Sequence, residues 1–182
     1  MTRLAAITMG AIVAFAAGAA SAANAPKPVT VEINFIDANG IGKPAGTVTI
    51  KETAEGLELD TNLKGLPPGE HGFHVHEKGS CAPAEKEGKP SPGEAAGGHY
   101  DPGATKAHKG PGGGGHKGDL PKLTVDANGT ASTKIKVPGL KLTDVAGKTL
   151  MIHEGGDNYS DTPKPLGGGG PRIACGVVPS AS

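Results

Sequence analysis

The sequence predicts an all-β fold, an antiparallel sandwich or barrel of about eight short strands that carries two long loops. Three observations predict it. Apolar and polar residues alternate with period two in one short segment after another. Turn residues separate several of these segments. No stretch sustains a capped helical period, and many short strands with Gly/Pro-rich turns belong to sandwiches and barrels.

The strands follow in order. Val29-Thr30-Val31-Glu32-Ile33-Asn34-Phe35 alternates, and so does Gly46-Thr47-Val48-Thr49-Ile50-Lys51-Glu52. Gly56 to Leu63, Gly72 to Glu77, Lys122 to Asp126, Thr130 to Val137, Thr149 to His153 and Ile173 to Val178 complete the set. Asp37-Ala38-Asn39-Gly40 and Asp126-Ala127-Asn128-Gly129 have the composition of hairpin joints. Gly (31) and Pro (16) make up about a quarter of the 182 residues, a level that can signal low complexity. They concentrate in 88–118 and 155–171, between well-patterned segments, which argues for long loops on a compact scaffold. The two loops, roughly 78–119 and 154–171, far exceed ordinary connections, and loops of that length are usually functional or disordered.

Residues 1–22 have the pattern of a secretory signal peptide. Arg3 gives a positive start, Leu4 to Ala20 is apolar and Ala-rich, and Ala20-Ser21-Ala22 is a small-x-small cleavage pattern. The expected mature domain is then 23–182, exported and free of the membrane, with a net charge of −1. So balanced a chain gives no global argument for nucleic acid or a membrane surface as partner. Cys81 and Cys175 are the only cysteines. An even pair in an exported chain points to one disulfide, two free thiols being the alternative.

All seven histidines fall between 71 and 153. His74 and His76 share a strand face, about 6.6 Å apart, and could hold one metal together, although H-x-H alone is a weak pattern. His99, His108, His116 and Asp119 form a closed four-ligand set suited to tetrahedral zinc, the alternative being a solvated His/Lys/Gly loop. His71 has the opposite parity to His74 and His76. It is expected to face inward with Phe73 and Val75 as a structural histidine.

The motifs Gly72-Phe73-His74-Val75-His76-Glu77, Gly97-Gly98-His99-Tyr100-Asp101-Pro102 and His116-Lys117-Gly118-Asp119-Leu120-Pro121 resemble those of the bacterial, periplasmic copper/zinc superoxide dismutases. Ile152-His153-Glu154-Gly155-Gly156-Asp157-Asn158 and Gly170-Pro171-Arg172-Ile173-Ala174-Cys175-Gly176-Val177 continue the resemblance, which spans nearly the whole mature chain in family order. It implies an eight-stranded antiparallel Greek-key barrel, an immunoglobulin-like sandwich, with one copper and one zinc per subunit. Copper would be held by His74, His76, His99 and His153, and zinc by His99, His108, His116 and Asp119, so that His99 bridges the two. Asp157 would orient His74 and His108 from behind. Arg172 would receive the superoxide anion, and His99 would carry a proton to the nascent peroxide. A Cys81–Cys175 disulfide would tie the long loop to the barrel and help hold Arg172.

The implied reaction converts two superoxide anions to dioxygen and hydrogen peroxide by Cu(II)/Cu(I) cycling. Lys86, in Glu85-Lys86-Glu87-Gly88-Lys89, resembles a steering lysine, the alternative being a solvated pair with Glu85. The chain departs from its relatives at Pro111 to Gly115, where bulkier residues are common. With five aromatics and no Trp, a homodimer is left open but would be weak or absent. A copper-only dismutase would lack the zinc set, a dismutase-like chaperone domain would lack copper ligands or the arginine, and a metal-buffering protein would not need Arg172. A zinc hydrolase would need an open zinc position beside a general base, and neither ligand set provides one.

Overall fold

The structure is a computed structural model that describes residues 26–180; the expected signal peptide, 1–22, lies outside the described residues. Among the described residues, twelve strands run in chain order as β1 (Val29–Asp37), β2 (Gly40–Thr53), β3 (Gly56–Lys64), β4 (Gly69–His71), β5 (Phe73–His76), β6 (Ala84–Lys86), β7 (Lys89–Ser91), β8 (Leu123–Val125), β9 (Thr130–Ala131), β10 (Lys134–Pro138), β11 (Thr149–His153) and β12 (Arg172–Val177). The main antiparallel sheet is ordered β10-β3-β2-β1-β12-β11-β5, with β9 also paired to β3. β4 pairs with β8, and β8 turns through 126–129 into β9, so the curled sheet closes on itself. With the separate β6–β7 hairpin set aside, and β4/β5 and β9/β10 each taken as one interrupted strand, the remainder is the eight-stranded barrel expected from the sequence. The connections β3 to β4 and β10 to β11 pass over the barrel ends to non-neighbouring strands, which makes the topology a Greek key.

The alternation fills the barrel as period two requires. Val31 and Ile33, Val48 and Ile50, and Leu57, Leu59 and Leu63 point inward and are buried against Phe73, Val75, Leu123, Leu150 and Ile152. Thr61 is the polar exception at an inward position, and it is satisfied. Its hydroxyl donates to the Thr133 carbonyl and accepts from the Thr133 N–H, both at 3.0 Å, which bridges the break between β9 and β10.

Three features depart from the sequence expectation. The strand expected from Gly72 begins earlier, as β4, and breaks at Gly72, whose N–H donates to Gly155 O (2.7 Å) and whose carbonyl accepts from His153 N–H (2.9 Å), tying β4/β5 to the start of the 154–171 loop. The first long loop contains its own hairpin, β6–β7, with Glu85 opposite Pro90. A single helical turn, Leu142–Val145, sits in the connection before β11, capped by Asp144, whose side chain accepts from Lys141 N–H.

Candidate metal centre

The site forms on the outer face of β5 and β11, where both long loops fold back over the strands. His74 and His76 project from one face of β5 while Phe73 and Val75 point into the barrel. A triangle of backbone bonds docks the first loop: Tyr100 N–H to Val75 O, Val75 N–H to Gly118 O and Gly118 N–H to Tyr100 O, each 2.8 Å. This brings Asp119 opposite His74 and His99 opposite His76. Gly118 must be glycine, because a Cβ there would overlap the Val75 carbonyl.

The ligand atoms of His74, His76, His99 and His153 all lie within 4.8 Å of one another, as do those of His99, His108, His116 and Asp119. His99 belongs to both groups. Hydrogen bonds decide which nitrogen each ring turns inward. His74 Nε2–H donates to Asp157 Oδ2 (2.7 Å), leaving Nδ1 for the first group. His76 Nδ1–H donates to Gly97 O (2.8 Å) and His153 Nδ1–H to Gly170 O (3.0 Å), leaving two Nε2 atoms 3.4 Å apart. In the second group His108 Nε2–H donates to Asp157 Oδ1 (2.7 Å), and Nδ1 faces Asp119 Oδ2 at 3.0 Å. His99 Nδ1 and His116 Nδ1 lie 3.0 and 3.3 Å from Asp119 Oδ1.

His74 Nδ1, His99 Nε2, His108 Nδ1 and His116 Nδ1 are buried without a hydrogen-bond partner. Buried polar atoms are nearly always satisfied, so four converging orphans indicate a missing common partner. A pair of cations fits this donor set. Four imidazole nitrogens suit copper, and three imidazoles with one carboxylate suit zinc.

Electrostatics prepare the rings. Burial lowers the pKa of His153 to about 3, with His74 adding to the effect, and burial lowers that of His99 to about 4 against the opposing pull of Asp119. Burial also holds His74 and His76 below the ordinary imidazole range. These rings are therefore neutral at pH 7, with lone pairs available to a metal. His108 differs. Burial opposes its protonation, but the carboxylates of Asp119 and Asp157 outweigh burial and raise its pKa to about 9. Those two carboxyls are held well below the usual range, because hydrogen bonds from His108, His99 and His74 outweigh their own burial.

Arg172 opens β12 beside His153, whose register partner it is. Its Nη1 donates to Gly93 O (2.6 Å) and its Nη2 to Gly97 O (2.8 Å). The Gly97 carbonyl thus accepts from both Arg172 and His76, linking the guanidinium to the first metal group. Cys81 and Cys175 form a disulfide, buried with Ile36, Ala96 and Met151 under the loop that supplies these carbonyls. Lys86 is exposed on β6, and its acidic neighbour is Glu94 (3.6 Å), not the adjacent Glu85. His71 lies inside the wall, its ring nitrogens each 2.7 Å from the carbonyls of His153 and Pro67, away from both metal groups.

The structure adds residues that the sequence reading passed over. Asp161 accepts from His108 N–H (2.8 Å) and Leu166 N–H (3.2 Å), joining the two long loops behind the second group. Gly167 has φ +71°, and a Cβ there would overlap Asp157 Oδ1 and lie 2.8 Å from His108 Nε2. We therefore expect Gly167→Ala to destabilise the fold by more than the roughly 1–2 kcal/mol of a left-handed alanine alone. Displacing Asp157 should also weaken zinc binding about 10–100-fold, measured by chelator competition beside a thermal melt; an unchanged zinc affinity would contradict this.

The sequence model of the family described as "Copper/zinc superoxide dismutase (SODC)" matches residues 44–178. The chain belongs to the copper/zinc superoxide dismutase family. It is 57% identical over 149 residues to "Superoxide dismutase [Cu-Zn]" of Escherichia coli (strain K12), covering 81% of this chain and 86% of that protein. It is also 57% identical over 140 residues to the enzyme of the same name from Brucella abortus, covering 76% and 81%. Among solved structures, the Cu/Zn superoxide dismutase from Brucella abortus superposes with a TM-score of 0.82 at 54% identity, covering 84% of this chain and 99% of that one. The solution structure of the monomeric copper, zinc superoxide dismutase from Salmonella enterica gives 0.76 at 55% identity, covering 84% and 99%.

Proposed function

We propose that this chain dismutes superoxide at a histidine-bridged copper–zinc pair: copper on His74, His76, His99 and His153, zinc on His99, His108, His116 and Asp119. The observation that carries the reading is His99. Its Nδ1 faces Asp119 and the zinc group, while its buried, unpartnered Nε2 faces the copper group. When bound, copper supplies the redox chemistry, oxidising one superoxide to dioxygen and reducing the next to peroxide, and zinc has only structural and electrostatic effect.

The protein does the rest. Arg172 stays charged, and two carbonyls aim its guanidinium beside His153 and His76, where it receives a small anion through forked N–H donors. His99 Nε2 takes up a proton and passes it to the product, and a second proton from solvent water completes hydrogen peroxide, which leaves as the neutral molecule. Asp157 holds one ring from each metal group through two 2.7 Å bonds. Lys86 adds positive charge at the rim, whereas Lys117 is committed to Asp144 at 2.8 Å.

The N-terminal residues 1–22 act as an export signal, and 23–182 form the mature domain in the periplasm. A disulfide that joins the long loop to the last strand supports an oxidising compartment.

Arg172→Ala tests the capture step. Steering by local positive charge raises association rates by about 10–10³-fold, so the variant should lose at least tenfold in dismutation rate and show a flatter salt dependence. An unchanged rate and salt slope would remove Arg172 from the mechanism.

A further inference from the structure

Glu94 begins the short 3-10 turn Glu94–Ala96, flanked by Gly93 and Gly97, the two residues whose carbonyls hold Arg172. One of its carboxylate oxygens lies 3.5 Å from Arg172 Nη2, and the other lies 3.6 Å from Lys86 Nζ. One acid therefore spans the two cations assigned above to anion capture. Among the described residues, Glu94 is the only ion-pair partner of either.

The geometry separates charge from positioning. The carbonyls of Gly93 and Gly97, at 2.6 and 2.8 Å, already fix both ends of the guanidinium fork. Glu94 is farther away than either, so its main contribution is a negative charge. That charge is felt strongly, because the side chains of Arg172 and Glu94 are only 12% and 22% exposed and water screens the pair weakly. Lys86, at 57% exposed, is screened more.

We propose that Glu94 is a brake on anion capture: its carboxylate offsets the Arg172 and Lys86 charges and sets the anion affinity of the copper-side mouth below what these two cations would give alone. The penalty falls on every anion and doubles for a dianion, so Glu94 also biases the mouth towards monovalent substrates such as superoxide over hydrogen phosphate. The inference rests on the superoxide dismutase reading above.

The test compares the copper- and zinc-loaded wild type with E94Q, which keeps the shape and removes the charge, and with E94A as a second variant. Azide binding is followed by the visible spectrum of copper, and dismutation by pulse radiolysis at low and high salt. Removing one charge of a steering field should raise the low-salt rate and tighten azide binding by about threefold each, with inhibition by hydrogen phosphate strengthened more than either. The rate advantage should fade at about 0.15 M salt, where screening acts over roughly 8 Å. A strut for Arg172 would do the opposite: weaker azide binding and slower turnover in both variants would overturn the proposal, as would no change in either quantity. A wild type that binds azide but does not dismute superoxide would refute the enzyme reading itself. A dismuting wild type that E94Q matches in both measurements would refute only the brake.

Discussion

Asp157→Ala should uncouple both metal sites at once. The carboxylate accepts from His74 Nε2–H with one oxygen and from His108 Nε2–H with the other, both at 2.7 Å, and it also accepts from Tyr159 N–H at 2.7 Å. Alanine leaves two buried imidazole N–H groups without partners, at about 1–3 kcal/mol each. Each ring is then free to rotate its inward Nδ1 off target. We expect the affinities for zinc and for copper both to fall about 10–100-fold, the range for loss of a carboxylate that orients a ligating histidine. Asp157→Asn should fall between, since the amide keeps one acceptor oxygen but sets an NH2 group against the other ring. The check is a pair of competition titrations, one metal at a time. Loss at one metal alone would show that the ring at the other metal is held without Asp157.

The second large effect concerns the disulfide. Cys175 lies on β12 three residues after Arg172, and Cys81 begins the loop whose Gly93 and Gly97 carbonyls hold that arginine. The bond closes a span of 94 residues, for which the chain-entropy account gives about 4–5 kcal/mol, while native disulfides typically contribute 2–5 kcal/mol. A double replacement, Cys81→Ser with Cys175→Ser, should therefore lower Tm by roughly 10 °C at this chain size. It should also slow dismutation at temperatures where the variant remains folded, because the carbonyls and the guanidinium are then tied through opposite sides of an open loop. A variant with the expected drop in Tm but undiminished activity would mean that the loop positions Arg172 without help from the disulfide.

Much of this architecture could be read from residue order. Period-two alternation placed strands such as β1, β3 and β11 to within a few residues, because each strand buries one face and only that face must be apolar, whereas β2 starts six residues before its alternating stretch and the strand expected over 130–137 breaks at 132–133. The histidine groups were legible because H-x-H on a strand fixes two rings on one side, and because the second group falls in a loop too long to be a mere connection, while His153 ends a strand at the start of the other long loop. What stayed hidden depends on contacts across long separations and on main-chain atoms. The carbonyls of Gly93 and Gly97 carry no mark in the sequence, yet they aim Arg172. Glu94 meets a residue far along the chain, and Lys86 turns to it in preference to its neighbour Glu85. Strand β7, Lys89-Pro90-Ser91, has neither alternation nor β-branched residues to announce it. Gly167 reads as one of a glycine run, and only the closeness of Asp157 and His108 shows why no side chain fits there.

The most direct test is the superoxide dismutation rate of the mature protein carrying one copper and one zinc, set against the same protein carrying zinc alone. The account predicts a fast rate that appears only with copper and declines with added salt. A negligible rate with both metals bound would contradict it and would turn the same histidine pair into a site for holding or transferring copper.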